Sequence, residues 1–500
     1  MQAFGDSFDL YSTAADAVGY WDALFTSAPS IAAGRYTGSQ AIALGLGLGY
    51  TKASGNNDVV HHITVAFLSQ AAISGTTQGA FFSLFDGTTA QCTIQFLQNG
   101  SIQLVSGAAG GAVLDSYAGA VTVQNQWYAF EIEVVINSTT GSWTIRKNGN
   151  TGTPDHTLGS LNTRGGTTNN YANKLSISQN ANLSGGAHVL DDLLWRSDPV
   201  SVPWLGDIRC YVRMPSSDAS AQMARSGVPT QAITSGVGTY SAWGANTAHY
   251  FSFVPAYSGQ IATVTWNTGP SYSGTGNAKF AIYADNSGVP GTLLGTSSVV
   301  ANPVVNQQNI TFPTPVTVAA GQIYWFGENQ DSGLTANAQS VAGSASLQIT
   351  STSFSTWPSS NPSLTGSTSG ASQHAFTLNY TLTGNYGAVQ ELHQDSLTSY
   401  VYDFTVGHND LYNIAALPGP APPSVVCVTT RAFAQKSDAG SRSGAVQLKS
   451  GSTTVQSPST TLQAGNWSWL WRTDLTDPST GSAWTPVGVN SVQVGPTVTA

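Results

Sequence analysis

Charge is what this 500-residue chain has least of. Asp, Glu, Lys and Arg together make up 8%, where roughly a quarter is usual for a globular protein. The 16 Lys and Arg face 25 Asp and Glu, a formal balance of −9. Nowhere do the cations gather into the basic stripe that neutralises phosphates, so nucleic acid is not an expected partner. Cysteine is almost as scarce. Cys92, Cys210 and Cys427 are odd in number and far apart, which indicates neither a disulfide framework nor a zinc site; they read as small buried apolar side chains. The opening MQAFGDSFDLYST lacks the charged and apolar stretches of a signal peptide. The longest apolar run, AIALGLGLGY (41–50), is too short and too glycine-rich to span a bilayer, so membrane insertion is not expected. Walker loops, GxSxG and HExxH are missing, no cofactor is implied, and no heptad tract specifies an oligomer.

Hydrophobic residues are not scarce, at 41%, and their spacing has period two. HHITVAFLS (61–69) places Ile63, Val65 and Phe67 on one face. FFSLFDG (81–87), CTIQFLQNG (92–100), SIQLVSG (101–107), WYAFEIEVVI (127–136), GSWTIRKNGN (141–150), LSIS (175–178) and HVLDDLLW (188–195) follow. Asn99-Gly100 is a strong hairpin signal. Later segments repeat the habit: HYFSFVPAYSGQIATVTWNTG (249–269), KFAIYADNSGVPGTLLGTSS (279–298), QNITFPTPVTVAAGQIYWFGEN (308–329) and QHAFTLNYTL (373–382). Many short strands joined by Gly/Asn turns, without sustained helical periodicity, predict an all-β chain of antiparallel β-sandwich or jelly-roll domains.

The chain divides at a seam. GDIRCYVRMPSSD (206–218) runs into a turn, and YGAVQELHQDSLTSYVYD (386–403) reads as the continuation of the same domain. Three domains are therefore expected: residues 1–200; residues 201–218 plus 386–500, discontinuous; and 219–385, inserted into the second. Insertions are tolerated at exposed loop tips whose ends lie close together.

The opening FGDSFDLYST, the FFSLFDG strand, the WYAFEIEV strand, the WTIRKNG hairpin and the closing VLDDLLW resemble the concanavalin A-like lectin/glucanase (laminin-G-like) jelly roll. They resemble in particular the version found near the start of tailed-bacteriophage virion proteins. The LGDIR strand, YGAVQELHQDSLTSYV, VGHNDLYNIAAL (406–417), VVCVTTRAFAQKSDAGSRSGAVQLKSG (425–451) and TDPSTGSAWT (476–485) extend the resemblance past the first domain. It implies a virion structural protein at a tail tip, fibre or particle surface, assembled in the host cytoplasm. The implied partners are other virion proteins, further copies of the chain and a host cell-surface polysaccharide. A polysaccharide-cleaving virion enzyme and a bacterial carbohydrate-binding surface module are the alternatives.

Cleavage would need paired carboxylates about 5–5.5 Å apart for a retaining reaction. Glu131 and Glu133, two residues apart, fall on one side of their strand. Val134, Val135 and Ile136 follow where a further acid would be wanted, so the pair is expected as solvent-facing charge, and no catalytic residue is named. Asp191-Asp192 is the candidate for structural calcium, although a dication wants six to eight oxygens. Trp467, Trp469 and Trp471 recur at period two and could form a sugar-stacking platform, against the commoner use of such rings in packing. Tyr257, Tyr272 and Trp357 are the other candidates for glycan or receptor contact, by their position near sandwich ends.

Overall fold

The computed structural model describes residues 1–25, 27–179, 183, 186–226, 230–232, 240–243, 245–267, 275–304, 307–331, 334–340, 346–351, 353–354, 356–364, 366–369, 372–382, 384–390 and 399–500. It is built almost wholly of antiparallel strands, the all-β sandwich class that the period-two pattern predicts. Two compact units emerge. One comprises Met1–Met214, Leu392–Gln394 and Thr405–Ala500; the other comprises Pro215–Glu391 and Asp395–Phe404.

The first unit opens with two stacked sheets. Val60–Ser69 lies at the middle of one, paired on one side with Trp127–Val135 and on the other with His188–Asp198. Gly141–Lys147 and His156–Leu161 extend it one way, Gln40–Leu44 and Ser30–Ala33 the other, and Gln2–Asp6 pairs with His188–Asp198. The facing sheet runs Val113–Tyr117, Ile102–Ser106, Thr89–Leu97, Gln78–Asp86, Ala172–Gln179, Gly49–Asp58, Ala23–Leu24. Alternation puts Ile63, Val65, Phe67, Phe82, Ile94, Phe96, Phe130 and Ile132 between the sheets, all essentially inaccessible. Each such side chain contributes about 1.5–3 kcal/mol when fully buried. Gly100 follows Asn99 at φ +80, the left-handed geometry that lets the chain double back.

The same unit holds a C-terminal sheet ordered Asp410–Ile414, Gln493–Val498, Ser443–Ser450, Thr453–Gln456. Beside it lies a two-stranded ribbon, Val428–Ala434 with Ser468–Asp474.

The second unit is another pair of sheets. Phe251, Trp266, Phe280, Phe326 and Phe376 form an aromatic core between them, with Phe326 and Phe376 centroids 4.7 Å apart. Its entering and leaving segments are fastened together: the Asp218 carboxylate accepts the Asn385 and Tyr386 N–H groups at 2.9 and 2.7 Å. Ala224–Ser226 also pairs with Tyr400–Tyr402.

Candidate functional site

Glu131 and Glu133 do share one side of their strand, yet the expectation of solvent-facing charge fails for Glu131, which is 2% exposed. Residues 203–206, after the last strand of the jelly roll, fold back over it. Leu205 and Gly206 donate their N–H groups to its carboxylate at 2.9 and 2.8 Å, and Arg196 Nη2 donates at 2.7 Å. Arg196 is itself fully buried and donates Nη1 to the Pro203 carbonyl at 2.7 Å. Burial alone would raise the Glu131 pKa, but the bonds from His62, Gly206 and Leu205 and the Arg196 charge hold it below the usual glutamate value. Glu133 is engaged by His62 Nε2 at 2.6 Å, and the His62 ring lies against Trp204, centroids 4.6 Å apart. A glycosidase acid must reach a glycosidic oxygen or an anomeric carbon. Glu131 reaches only Arg196, His62 and the connector, which leaves Glu133 as the sole partly exposed acid of the pair.

The neighbouring His61 is equally buried. Its Nε2 meets the Asp58 carbonyl at 2.9 Å, and desolvation pushes its pKa down to about 4, so it is a neutral core histidine.

Asp191 and Asp192 lie where the register of their strand slips, between Asp191↔Ala66 and Leu194↔Thr64, with Asp192 at φ +49. The bulge turns both carboxyls toward backbone donors. Asp191 accepts the Arg35 and Asp192 N–H groups, each at 2.7 Å. Asp192 Oδ1 accepts the Cys210 N–H at 2.7 Å, and its Oδ2 has no hydrogen-bond partner, with Arg35 Nη1 4.0 Å away. One spare oxygen beside a guanidinium does not fit a calcium ion that takes six to eight oxygens. Among the described residues, no group of three His, Cys, Asp or Glu is placed to hold a metal. This acid pair anchors a loop and the connector.

Burial pushes the Asp191 pKa up to about 6. Burial and the adjacent Asp191 charge push Asp192 up to about 8. Folded-state values above the unfolded one mean that the pair's contribution is fully present below about pH 4 and is lost as pH rises through about 6 and about 8. Asp192→Asn retains the acceptor for Cys210. It is expected to raise stability at pH 9 by at least about 1.4 kcal/mol, the equivalent of a tenfold change in proton affinity, and to change little below pH 4. Denaturant midpoints at the two pH values read this, and an equal gain at both would contradict the assignment.

The tryptophan row is spent on packing. Trp469 and Trp471 pack against the jelly-roll core. Trp469 Nε1 donates to the Asp16 carbonyl at 2.9 Å, and its ring sits 4.7 Å from Phe433 and 6.3 Å from Tyr11. Trp471 lies 5.4 Å from Tyr20, with Lys52 Nζ 4.4 Å from its centroid. Trp467 stacks on Phe433 at 5.2 Å. Opposite Trp471 in the ribbon stands Arg431, its guanidinium 3.3 Å from the Tyr20 centroid. Arg431 donates to the Gly5 carbonyl at 2.8 Å and to the Tyr11 hydroxyl at 3.2 Å, and pairs with Asp6 at 3.4 Å. The cleft beside this group, lined by Phe4, Lys52, Trp195 and Trp471, has a volume of about 40 Å³, room for a water or two. A sugar-stacking platform is therefore not what these rings provide.

Tyr257 and Trp357 of the second unit are likewise engaged in packing. Tyr257 is 8% exposed, against Tyr380 at 5.5 Å. Trp357 is 9% exposed and caps Tyr250 and Tyr283 at 6.0 and 6.3 Å. Tyr272 lies outside the described residues. What the sequence reading passed over is a set of arginines and tyrosines around the connector. Arg209 lies 3.6 Å from the Tyr36 centroid and 4.6 Å from that of Tyr211, and Arg213 lies 5.4 Å from Tyr211. The alternation Arg209, Tyr211, Arg213 was the available signal.

No protein-family model and no curated protein matches the chain. Solved structures with partial likeness include an endo-1,3-β-glucanase from Streptomyces sioyaensis, 14% identical, covering 40% of this chain and 97% of its own, TM-score 0.26. A botulinum neurotoxin type C, which interacts with two ganglioside molecules, is 12% identical over 72% of this chain and 88% of its own, TM-score 0.26. A Trypanosoma rangeli sialidase is 11% identical over 32% of this chain, TM-score 0.22, and the matched part spans 26% of the sialidase.

Proposed function

We propose that this chain is a bacteriophage virion component, at a tail tip, fibre or particle surface, whose sandwiches serve assembly and contact with a host glycan or receptor. The observation that supports the contact role over cleavage is the fastening of Glu131 by Arg196, Leu205 and Gly206, which withdraws one of the two carboxylates that a paired-acid reaction needs. The virion assignment is supported by the residue resemblance running through 1–209 and resuming at 386–485. Three modules follow from it: 1–200, 201–218 with 386–500, and the inserted 219–385. Its partners are other virion proteins, further copies of itself and host polysaccharide.

Electron microscopy of purified particles, with the chain located by a bound antibody fragment, tests the assignment. Density at the particle surface is the expected result, and particles that lack the chain would refute it. Incubation with host polysaccharide is expected to release no reducing ends; turnover abolished by Glu133→Gln would establish the cleaving alternative.

A further inference from the structure

Several arginines have a carboxylate partner. Arg35 forms a two-pronged pair with Asp207, Arg196 pairs with Glu131, Arg431 with Asp6, Arg442 with Asp438, and Arg472 with Asp474. Arg209 and Arg213 differ. Neither makes an ion pair or a hydrogen bond with any described residue; Arg209 lies over the faces of Tyr36 and Tyr211 and Arg213 over that of Tyr211, and Arg209 also feels the charge of Asp9, whose Oδ1 accepts the Gln40 N–H. Arg209 is exposed and Arg213 half-buried, and the Arg213 Nε is buried with no hydrogen-bond partner among the described residues. Desolvation and the nearby Arg209 charge hold the Arg213 pKa below the usual arginine value.

The frame around the two is rigid. Asp192 Oδ1 holds the N–H of Cys210, between Arg209 and Tyr211, at 2.7 Å. Asp191 holds the backbone of Arg35, and the Arg35 fork grips Asp207 on the same connector. Ser39 Oγ accepts the Tyr36 N–H at 3.0 Å. The nearby acids are thus committed to backbone donors or to Arg35, and the two guanidinium groups keep their donors. Arg209 and Arg213 are four residues apart, which on fully extended chain spans roughly 13 Å. A guanidinium fork matches a carboxylate in two parallel hydrogen bonds. A chain with a formal charge of −9 and two such groups suits spaced single charges rather than a phosphate backbone.

We propose that Arg209 and Arg213, ordered on Tyr36 and Tyr211, bind the carboxylates of an acidic, uronate-bearing polysaccharide. This rests on the glycan-contact reading and gives that contact a place and a chemistry.

The test is calorimetric titration of the full chain with oligogalacturonide, its methyl ester, dextran sulfate, a short DNA duplex and a panel of neutral host oligosaccharides. The wild type is expected to bind oligogalacturonide and to lose at least tenfold in affinity on methyl esterification. Arg209→Gln/Arg213→Gln, with an unchanged melting profile, should lose at least tenfold for oligogalacturonide. Raising salt from 50 to 300 mM should weaken the wild-type interaction severalfold. Equal affinity for acid and ester, preference for dextran sulfate or DNA, or full binding by the double variant would each overturn the site. Binding of a neutral oligosaccharide alone, unaffected by the double variant, would overturn the site and leave the contact reading standing. Silence toward every saccharide would count against both.

Discussion

Replacing Glu131 with alanine is expected to destabilise the first unit by about 3–5 kcal/mol, the cost of breaking a buried ion pair from one side. The magnitude follows from what is left behind. Arg196 is fully buried, and its Nη2 would lose its carboxylate while its Nε already lacks a partner. The Leu205 and Gly206 N–H groups would lose their acceptor as well, and each orphaned donor costs about 1–3 kcal/mol if it stays buried. The connector would lift away to rehydrate them, so residues 203–206 should become a protease-sensitive site in Glu131→Ala. Acid should do the same to the wild type. The Glu131 pKa lies below its ordinary value, so its contribution is present above the unfolded glutamate pKa and is lost as pH falls through the lower folded one. Urea midpoints with limited proteolysis report both effects. A variant with wild-type stability and an uncut connector would show that the carboxylate is not fastening it.

Arg431→Ala is expected to cost about 3–5 kcal/mol on the same physical ground, with a different outcome for the fold. Arg431 stands on the C-terminal ribbon, while Asp6, Tyr11 and Tyr20 belong to the jelly roll. Its removal leaves Asp6 buried, with Phe8 N–H, the Tyr11 hydroxyl and Trp21 Nε1 still donating to it but without a counter-charge. Trp469 and Trp471 would lose the cation that closes their seam with Tyr20. The ribbon should therefore detach before the jelly roll unfolds, splitting one thermal transition into two. Arg431→Lys keeps the charge and loses the fork, and should fall between the two. A single transition at the wild-type temperature in Arg431→Ala would show that the rings alone hold the ribbon.

These two fasteners also mark the limit of what the sequence discloses. The strands were legible because alternation is local: Ile63, Val65 and Phe67 reveal a buried face, and Asn99-Gly100 a reversal, from residues within a few positions. The period-two placement of Glu131 with Glu133, and of Trp469 with Trp471, was legible for the same reason. What covers those faces was not. Glu131 is closed by residues 203–206, over seventy positions later, and the tryptophans by Tyr11 and Tyr20, some 450 positions earlier. The Asp191-Asp192 bulge was hidden too, because a one-residue register slip leaves no composition signal. The unpaired arginines were overlooked because pairing is a property of the fold.

Amide hydrogen exchange at Leu205 and Gly206 tests most directly whether the acid-bearing face is a fastened structural element. The account predicts strong protection of both amides in the wild type and its loss in Glu131→Ala, with the core strand Val60–Ser69 still protected. Exchange at open-chain rates in the wild type would contradict it, since Glu131 would then be free to meet a substrate.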